Sequence, residues 1–382
     1  MTVCRRQPSG RQTAAGPELP SSAAQALPLL RYGYPRAHRL SYNHGLAHSL
    51  SLDPLMPLAS SPIGVFDSGV GGLSVLRALL AAMPNERFVY LADSAHAPYG
   101  ERGDAYVSAR THAIADYLCA EHGIKALVVA CNTATAAAIH ELRSSRSELP
   151  LVGLEPAIKP ALAATRTGHI GVIGTRGTLT SAKFARLMAS VAEQAHFVIQ
   201  PCDGLAHAIE RSVSRPGAVP GAPVEATETG KLCKTYLEAM GAFGTAPGQI
   251  DTLVLGCTHY VFVADELRAI TGPDVRFIET GEPVARQTQR LLEAAGIANA
   301  PAGIGADERQ AGETAATSAG GPADGVACAA TAAPRLHPGT APGTLAPSRV
   351  QLLTTGPVEM LQAAAQRWLD LPAQCCSSVM VP

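Results

Sequence analysis

The chain has 382 residues, with 30 Lys and Arg against 31 Asp and Glu, and only 16% of its residues are charged. This length accommodates two ordinary domains, and the balanced charge provides no basic surface for nucleic acid or for an anionic membrane. No run of ~18 apolar residues predicts a membrane-spanning helix, and no apolar secretory segment follows Arg5 and Arg6. Nine cysteines without a CxxC pair argue against a disulfide framework and a zinc ribbon. We therefore expect a cytoplasmic protein with free thiols.

Regular structure is predicted to begin at Pro62. Residues 1–61 mix Pro, Ser, Arg and His without a period, so we expect a disordered extension there, with Met56 as an alternative start. Apolar strands then alternate with amphipathic helices. The predicted strands are 62–66, 88–91 and 126–130, and the predicted helices are 72–83, 106–121 (with Gly123 as a stop) and 133–142. Such alternation is typical of a doubly wound parallel sheet.

The pattern then repeats as three ordered echoes. The segments 63–69, 88–91 and 126–133 are echoed by 170–176, 197–200 and 252–259, and a helix is predicted at 181–191. The third echo has a larger offset, which indicates an insertion, and the Pro- and Gly-rich segment 215–224 is the candidate. The sequence therefore predicts an α/β fold with two pseudo-symmetric, doubly wound parallel-sheet domains facing across a cleft. Ligands of such sheets bind beyond the carboxyl ends of the strands.

The domain boundaries follow from the echoes and from composition. Residues 298–348 are rich in Ala, Gly, Pro and Thr and cannot bury enough apolar surface to offset their ordering entropy, so we expect a disordered insertion. A strand at 350–353 and a helix at 358–369 follow it. The first domain is assigned to 62–153, 279–297 and 349–371, and the second to 154–278 with its insertion near 215–228. Residues 372–382 are expected to be a tail.

Cys131 and Cys257 are the candidate reactive residues. Each follows an apolar strand and precedes polar residues at a predicted helix start. Backbone N–H groups and the helix dipole there lower the pKa of a thiol, and a modest lowering from about 8.5 produces a base near neutral pH. The alternative is a cysteine packed as a small apolar side chain. We accept that alternative for Cys119, Cys202 and Cys233, and we assign no role to Cys4, Cys328, Cys375 and Cys376.

Two equivalent thiols suit the inversion of a stereocentre, since one face loses a proton and the opposite face gains one. A hydrolase instead needs one nucleophile, one base and an oxyanion hole, which is an asymmetric arrangement. The sequence has no GxSxG elbow and no P-loop, and Gly69–Gly72 lacks the GxGxxG spacing of a dinucleotide site. The pattern therefore favours a racemase.

Five short motifs are shared with a known enzyme family. They are Phe66–Gly72, Ala92-Asp93 with Pro98–Gly100, Cys131–Thr135, Glu155–Ala157 and Gly256–Tyr260. Through them the chain resembles the glutamate racemases of the aspartate/glutamate racemase superfamily, over about residues 62–297 and 350–370. The resemblance implies interconversion of L- and D-glutamate without pyridoxal phosphate, metal or nucleotide, hence no cofactor. It also implies a supply of D-glutamate for peptidoglycan in a bacterial cytoplasm.

The resemblance implies a role for each matching residue. Cys131 and Cys257 would transfer protons, and Asp67 and His259 would assist the neighbouring thiols. The substrate-binding set would be Asp67, Ser68, Tyr99, Gly100, Asn132, Thr133, Thr258 and His259, with Glu210 as an auxiliary residue. Alternatives remain for three of these residues: Asp67 as a helix N-cap, Glu210 as an exposed helix residue, and His259 as a helix-terminal hydrogen-bonding group or, with Cys257, half of a metal site. We expect no metal.

The chain departs from the family pattern at a few positions. Val261 stands where the family has proline, and Glu279-Thr280-Gly281 replaces Asp-Ser-Gly. Neither departure removes a catalytic group. The rival functions are an aspartate or broad-specificity racemase of the same superfamily, a catalytically inactive binding protein, and a thiol–disulfide redox protein. The expected partner is the small-molecule substrate, with neither nucleic acid nor membrane, and a homodimer is left open.

Overall fold

Ten strands form two sheets in the computed structural model, which describes residues 58–213, 223–299 and 349–382. The first sheet contains β1 (Ile63–Asp67), β2 (Phe88–Ala92), β3 (Ala126–Val129), β4 (Leu151–Gly153), β9 (Val350–Thr354) and β10 (Cys376–Ser378). The second contains β5 (His169–Gly174), β6 (His196–Pro201), β7 (Thr252–Gly256) and β8 (Arg276–Ile278). Every pairing is parallel. The expectations for residues 1–57, 214–222 and 300–348 lie outside the described residues.

The two sheets repeat one strand order. The first runs β10-β9-β2-β1-β3-β4 and the second β6-β5-β7-β8, so β2-β1-β3-β4 has a complete counterpart. The register also repeats at the positions that the sequence echoes align: Ile63 pairs with Phe88 and Ala126, and Ile170 pairs with Phe197 and Thr252. The predicted fold, two pseudo-symmetric parallel α/β units, is confirmed. The structure adds a fourth pair of equivalent strands, β4 and β8.

Eleven helices connect these strands in the described part of the chain. They are α1 (Leu73–Ala82), α2 (Asp104–His122), α3 (Asn132–Ser145), α4 (Ile158–Ala164), α5 (Arg176–Leu179), α6 (Ala182–Ala189), α7 (Leu205–Ser212), α8 (Glu228–Glu238), α9 (Ala264–Thr271), α10 (Gly281–Ala294) and α11 (Val358–Leu369). The helix predicted at 181–191 is α6, which ends earlier, and the short α5 precedes it. Helix α2 ends at Gly123 with φ 53°, a left-handed conformation that glycine adopts without strain.

Both faces of the first sheet are buried. In β3, Ala126 and Val128 pack on one side with α1, α10 and α11, whereas Leu127 and Val129 pack on the other side with α2 and α3. Side chains alternate between the faces of a strand, so a sheet covered on both sides needs a continuous apolar run. These apolar runs made the strands predictable from the sequence. No described helix is long and apolar enough to span a bilayer.

Residues 372–382, expected to be a tail, contain β10. This strand pairs with β9, and Val381 beyond it is buried. The segment therefore completes the first sheet. Its Cys-Cys-Ser-Ser sequence has no apolar alternation, so the strand depends on its partner rather than on its own pattern.

The borders of 300–348 lie together, on the loop between α1 and β2. The Asn299 N–H donates to Glu86 Oε1 at 2.8 Å, and its side chain donates to Asn85 O at 3.0 Å. Arg349 donates to Pro84 O on the same loop. This loop is at the amino end of β2, opposite the carboxyl ends of the strands.

Candidate active site

A cleft lies beyond the carboxyl ends of the strands of both sheets. Its walls follow β1, β2 and β3 of the first sheet and β5, β6 and β7 of the second. Every candidate residue from the sequence lines it: Asp67, Ser68, Tyr99, Gly100, Cys131, Asn132, Thr133, Glu210, Cys257, Thr258 and His259. Residues far apart in the chain thus meet where parallel sheets present their ligand sites.

Cys131 lies immediately before α3 and caps it. Its Sγ accepts the Ala134 N–H at 3.5 Å and lies 3.7 Å from Ser68 Oγ. The expected lowering of its pKa is wrong: burial, and then the nearby Asp67 carboxyl, raise the pKa of Cys131 well above its ordinary value. The free energy of removing a thiolate from water is larger here than the stabilisation that the N–H groups provide. Cys131 is therefore a protonated thiol, able to donate.

Asp67 ends β1 and is buried beside this thiol. Its carboxylate accepts the Ser68 N–H at 2.8 Å and the N–H of Gly72, the residue that precedes α1. The N-cap residue of α1 is Gly72, so the alternative of Asp67 as a helix N-cap is wrong, and its carboxylate faces the cleft. Burial raises the pKa of Asp67 to about 6.

Cys257 belongs to a buried relay in the second unit. Its Sγ lies 3.6 Å from His259 Nδ1, and His259 Nε2 lies 3.2 Å from Glu210 Oε1. Burial alone would lower the pKa of His259, but the hydrogen bonds to Cys257 and Glu210 raise it well above its usual range. The imidazolium thus lies between a thiol and a carboxylate. His259 can therefore hydrogen-bond to the sulfur of Cys257 on one side and to Glu210 on the other.

Glu210 is buried, at 8% exposure, which contradicts the alternative of an exposed helix residue. Burial would raise its pKa, but the hydrogen bond and charge of His259, the Val70 N–H and the charge of His207 together outweigh burial and hold the pKa below the usual value. The same oxygen, Oε1, accepts the Val70 N–H at 2.9 Å. Glu210 therefore joins the relay of the second unit to the loop that follows β1 in the first.

Glycines in the loop after β1 allow this close approach. A Cβ at Gly69 would lie 1.6 Å from Glu210 Oε1, and one at Gly71 would lie 2.4 Å from His259 Nδ1. Any larger residue would displace the relay. The glycines of the 69–72 segment thus accommodate protein side chains.

Asn132 has the strongest indication of a missing partner. Its side chain is buried, and neither its Oδ1 nor its Nδ2 has a hydrogen-bond partner among the described residues. Buried amides are rarely left unsatisfied, so these atoms point to a polar ligand. Thr133 Oγ1 lies 3.1 Å from Thr175 Oγ1, and Thr258 Oγ1 lies 3.5 Å from Asp67 Oδ2.

Several further residues line the cleft that were not among the residues predicted from the sequence. Thr175 and Arg176 line it, and they occupy the echo positions of Ser68 and Gly69, so the repeat offered a signal for them. Asp203 and His207 line it too, and no pattern in the sequence identified them. Within the described residues, no group of three or more His, Cys, Asp or Glu side chains is placed to hold a metal ion.

Comparison with known proteins identifies the family. Residues 63–288 match the Asp/Glu/Hydantoin racemase family. A glutamate racemase of Ectopseudomonas mendocina is 48% identical over 237 residues, which are 62% of this chain and 84% of that protein. The crystal structure of a Bacillus anthracis glutamate racemase matches with a TM-score of 0.61 at 27% identity, covering 84% of this chain and 98% of that one. An Escherichia coli glutamate racemase in complex with L-glutamate and the activator UDP-MurNAc-ala matches with a TM-score of 0.60 at 25% identity, covering 84% and 99%. The chain therefore belongs to the Asp/Glu/Hydantoin racemase family.

Proposed function

We propose that the chain interconverts L-glutamate and D-glutamate, with Cys131 and Cys257 as the two proton-transfer residues and no cofactor. The observation that carries the proposal is the placement of these cysteines. They follow equivalent strands, β3 and β7, and line one cleft. The relatives named as glutamate racemases support the choice of substrate.

The surroundings of the two thiols give them complementary starting states. Cys257 faces the His259 imidazolium and is the base, whereas Cys131 is buried near Asp67 and keeps its proton. The Cys257 thiolate removes the α-proton from one face of the substrate, and Cys131 delivers a proton to the opposite face. The thiols exchange protonation states in one turnover, so the reverse reaction starts from Cys131. Following the family resemblance, we assign Cys257 to L-glutamate and Cys131 to D-glutamate.

The polar groups of the cleft are proposed to bind the substrate's carboxylates and ammonium. Asn132 is the principal candidate, because a substrate would satisfy its two unpartnered atoms. Ser68, Thr133 and Thr258 supply hydroxyls around the thiols, and Tyr99 and Gly100 line the cleft after β2. Donors to the α-carboxylate would stabilise the negative charge that develops as the α-proton leaves.

A chiral assay with glutamate and aspartate tests the substrate. We expect racemisation of glutamate and far slower turnover of aspartate, since one missing methylene moves the side-chain carboxylate away from fixed donors and leaves them unpaired. Comparable rates would indicate a broad-specificity racemase. Inactivity towards both amino acids, with retained binding of glutamate, would support the alternative of an inactive binding protein.

We further propose a bacterial cytoplasmic location, with D-glutamate supplied for peptidoglycan, and a homodimer as the assembly to test by light scattering. Free thiols support a reducing compartment: Cys119, Cys131, Cys202, Cys233, Cys257 and Cys376 form no disulfide in the described part of the chain. The predicted domain boundaries also stay a proposal. The packing of α1 and α10 in one apolar cluster supports the return of the chain to the first domain.

A further inference from the structure

A buried carboxylate outside the reaction chemistry holds one wall of the cleft. Asp93 follows β2 and has 0% exposure. It accepts the Tyr99 hydroxyl at 2.6 Å, the Thr355 hydroxyl at 2.9 Å, and Arg110 Nε and NH2 at 3.1 Å each. His96 Nδ1 lies 2.9 Å from it. Of these partners, Tyr99 lines the cleft.

Arg110, on α2, is also held from its other side. Its NH1 donates to Pro382 O at 2.8 Å and lies 3.4 Å from Val381 O. Val381 is buried in the same apolar cluster as Tyr99, and Val379 N–H donates to Thr354 O at 2.9 Å. Residues 379–382, the closing segment, therefore connect β9 to Arg110.

The buried negative charge of Asp93 requires these hydrogen-bonding partners. Burial would raise the pKa of Asp93, but the hydrogen bonds from Arg110, Tyr99 and Thr355 and the charge of Arg110 together outweigh burial and hold the pKa below its usual value. The carboxylate is therefore ionised, and a buried ion without its partner is costly. The planar guanidinium uses two nitrogens on Asp93 and the third on backbone carbonyls, which fixes its orientation.

We propose that Arg110 and the closing segment are positioning elements of the active site: they orient Asp93, and Asp93 orients Tyr99 against the substrate. The inference rests on the proposed glutamate activity and extends it. Neither Arg110 nor the closing segment lines the cleft, so both act on substrate binding through Tyr99. The path runs from Pro382 O through Arg110 and Asp93 to the Tyr99 hydroxyl.

The first test compares Arg110→Gln, Arg110→Lys and a chain lacking 379–382 with the parent. Each change frees Asp93 or Arg110 from a fixed partner, so we expect KM for glutamate to rise roughly tenfold, while kcat stays within about twofold because both thiols are untouched. Arg110→Lys keeps the charge but loses the planar guanidinium, so its KM should lie between those of the parent and Arg110→Gln. Arg290→Gln, on the exposed side of α10, is the matched control and should keep the parental KM.

A double-mutant cycle separates positioning from a general structural role. Tyr99→Phe removes the hydroxyl that Asp93 holds, so adding Arg110→Gln should raise KM little further. Fully additive effects on KM would overturn the proposal, because Arg110 would then act by another route. A lowered melting temperature with an unchanged KM would also overturn it and make Arg110 a structural brace. Circular dichroism checks folding, and Arg110→Lys keeps the test open if Arg110→Gln does not fold.

Calorimetric binding of D-glutamate accompanies each variant and should weaken in parallel with KM. A parent that neither binds nor racemises glutamate would overturn the proposed function, and this inference with it. A parent that racemises glutamate, with folded variants of parental KM and affinity, would overturn this inference alone.

Discussion

Thr133 Oγ1 lies 3.1 Å from Thr175 Oγ1, which joins the segment after Cys131 in the first unit to the loop after β5 in the second. A reciprocal contact exists on the other side: Thr258, next to Cys257 in the second unit, donates to Asp67 at the end of β1 in the first, at 3.5 Å. Each thiol-bearing segment thus contacts the other unit at the carboxyl end of its first strand, at Asp67 in β1 or at Thr175 just after β5. The positions of the two thiols therefore depend on contacts between the two units.

The two-thiol assignment predicts a distinct labelling pattern in heavy water. If Cys131 and Cys257 serve opposite faces, the proton removed by one thiol is replaced by solvent-derived deuterium from the other. Early product should be fully deuterated at the α-carbon, while remaining substrate gains little label; mass spectrometry of each separated enantiomer measures both. Substantial protium carried from substrate to product would indicate a single base.

Alanine variants test the same pair. Cys131→Ala and Cys257→Ala should each abolish racemisation, leaving at most a small α-proton exchange of one enantiomer, opposite in the two variants. Cys119→Ser, at a half-buried cysteine outside the cleft, is the control and should racemise normally. Robust racemisation by either alanine variant would contradict the proposal.

Asp67 should make stability depend on pH. Burial raises its pKa from 3.8 to about 6, so its contribution to stability is present below pH 3.8 and is lost as pH rises through about 6. Relative to the parent, Asp67→Asn should gain about 2 kcal/mol of unfolding free energy between pH 4 and pH 7. Urea unfolding at several pH values measures this, with exposed Asp274→Asn as control. A difference that does not change with pH would be inconsistent with an ionised, buried Asp67. Activity should fall, because the carboxylate beside Cys131 is lost.

Residues 300–348 should be replaceable. Asn299 and Arg349 both contact the loop 84–86, away from the cleft, so a linker of about six residues is expected to span the gap. A chain starting at Met56 and shortened in this way should keep a cooperative thermal transition and racemise glutamate. Loss of the transition by calorimetry would show that these segments are structural.

Trp368 should couple the two units. On α11 of the first, it stacks on Phe262 in the turn that follows Cys257, with ring centroids 3.6 Å apart and planes at 3°. Trp368→Ala should lower the unfolding free energy by about 2 kcal/mol and reduce kcat, whereas Trp368→Phe should retain most of both. Equal stability of the alanine and phenylalanine variants in urea would rule out a contribution from the stack.

The sequence was most informative where burial determines the residue type. The apolar strands, the helix ending at Gly123 and the echoes at Cys131 and Cys257 all appeared in the predicted places, because a sheet buried on both faces leaves few choices. All the candidate site residues line one cleft, although their chemical roles stay predictions.

The missed features depend on contacts between distant residues. β10 exists because β9 is beside it, and Asp93 is held by Arg110 and Thr355, which no local pattern connects. The pKa of Cys131 was predicted in the wrong direction for the same reason. Its position before a helix is visible in the sequence, but its burial near Asp67 is not.

The first sheet is completed late in synthesis. β2 is buried along its whole length, and its neighbour β9 is made about 260 residues later. At typical rates of translation, β2 remains an open apolar edge for on the order of 10 to 50 seconds while the second unit emerges and folds. Open apolar edges pair readily with other chains. We therefore expect the yield of this protein in cells to depend on a chaperone that covers β2 until residues 349–382 leave the ribosome.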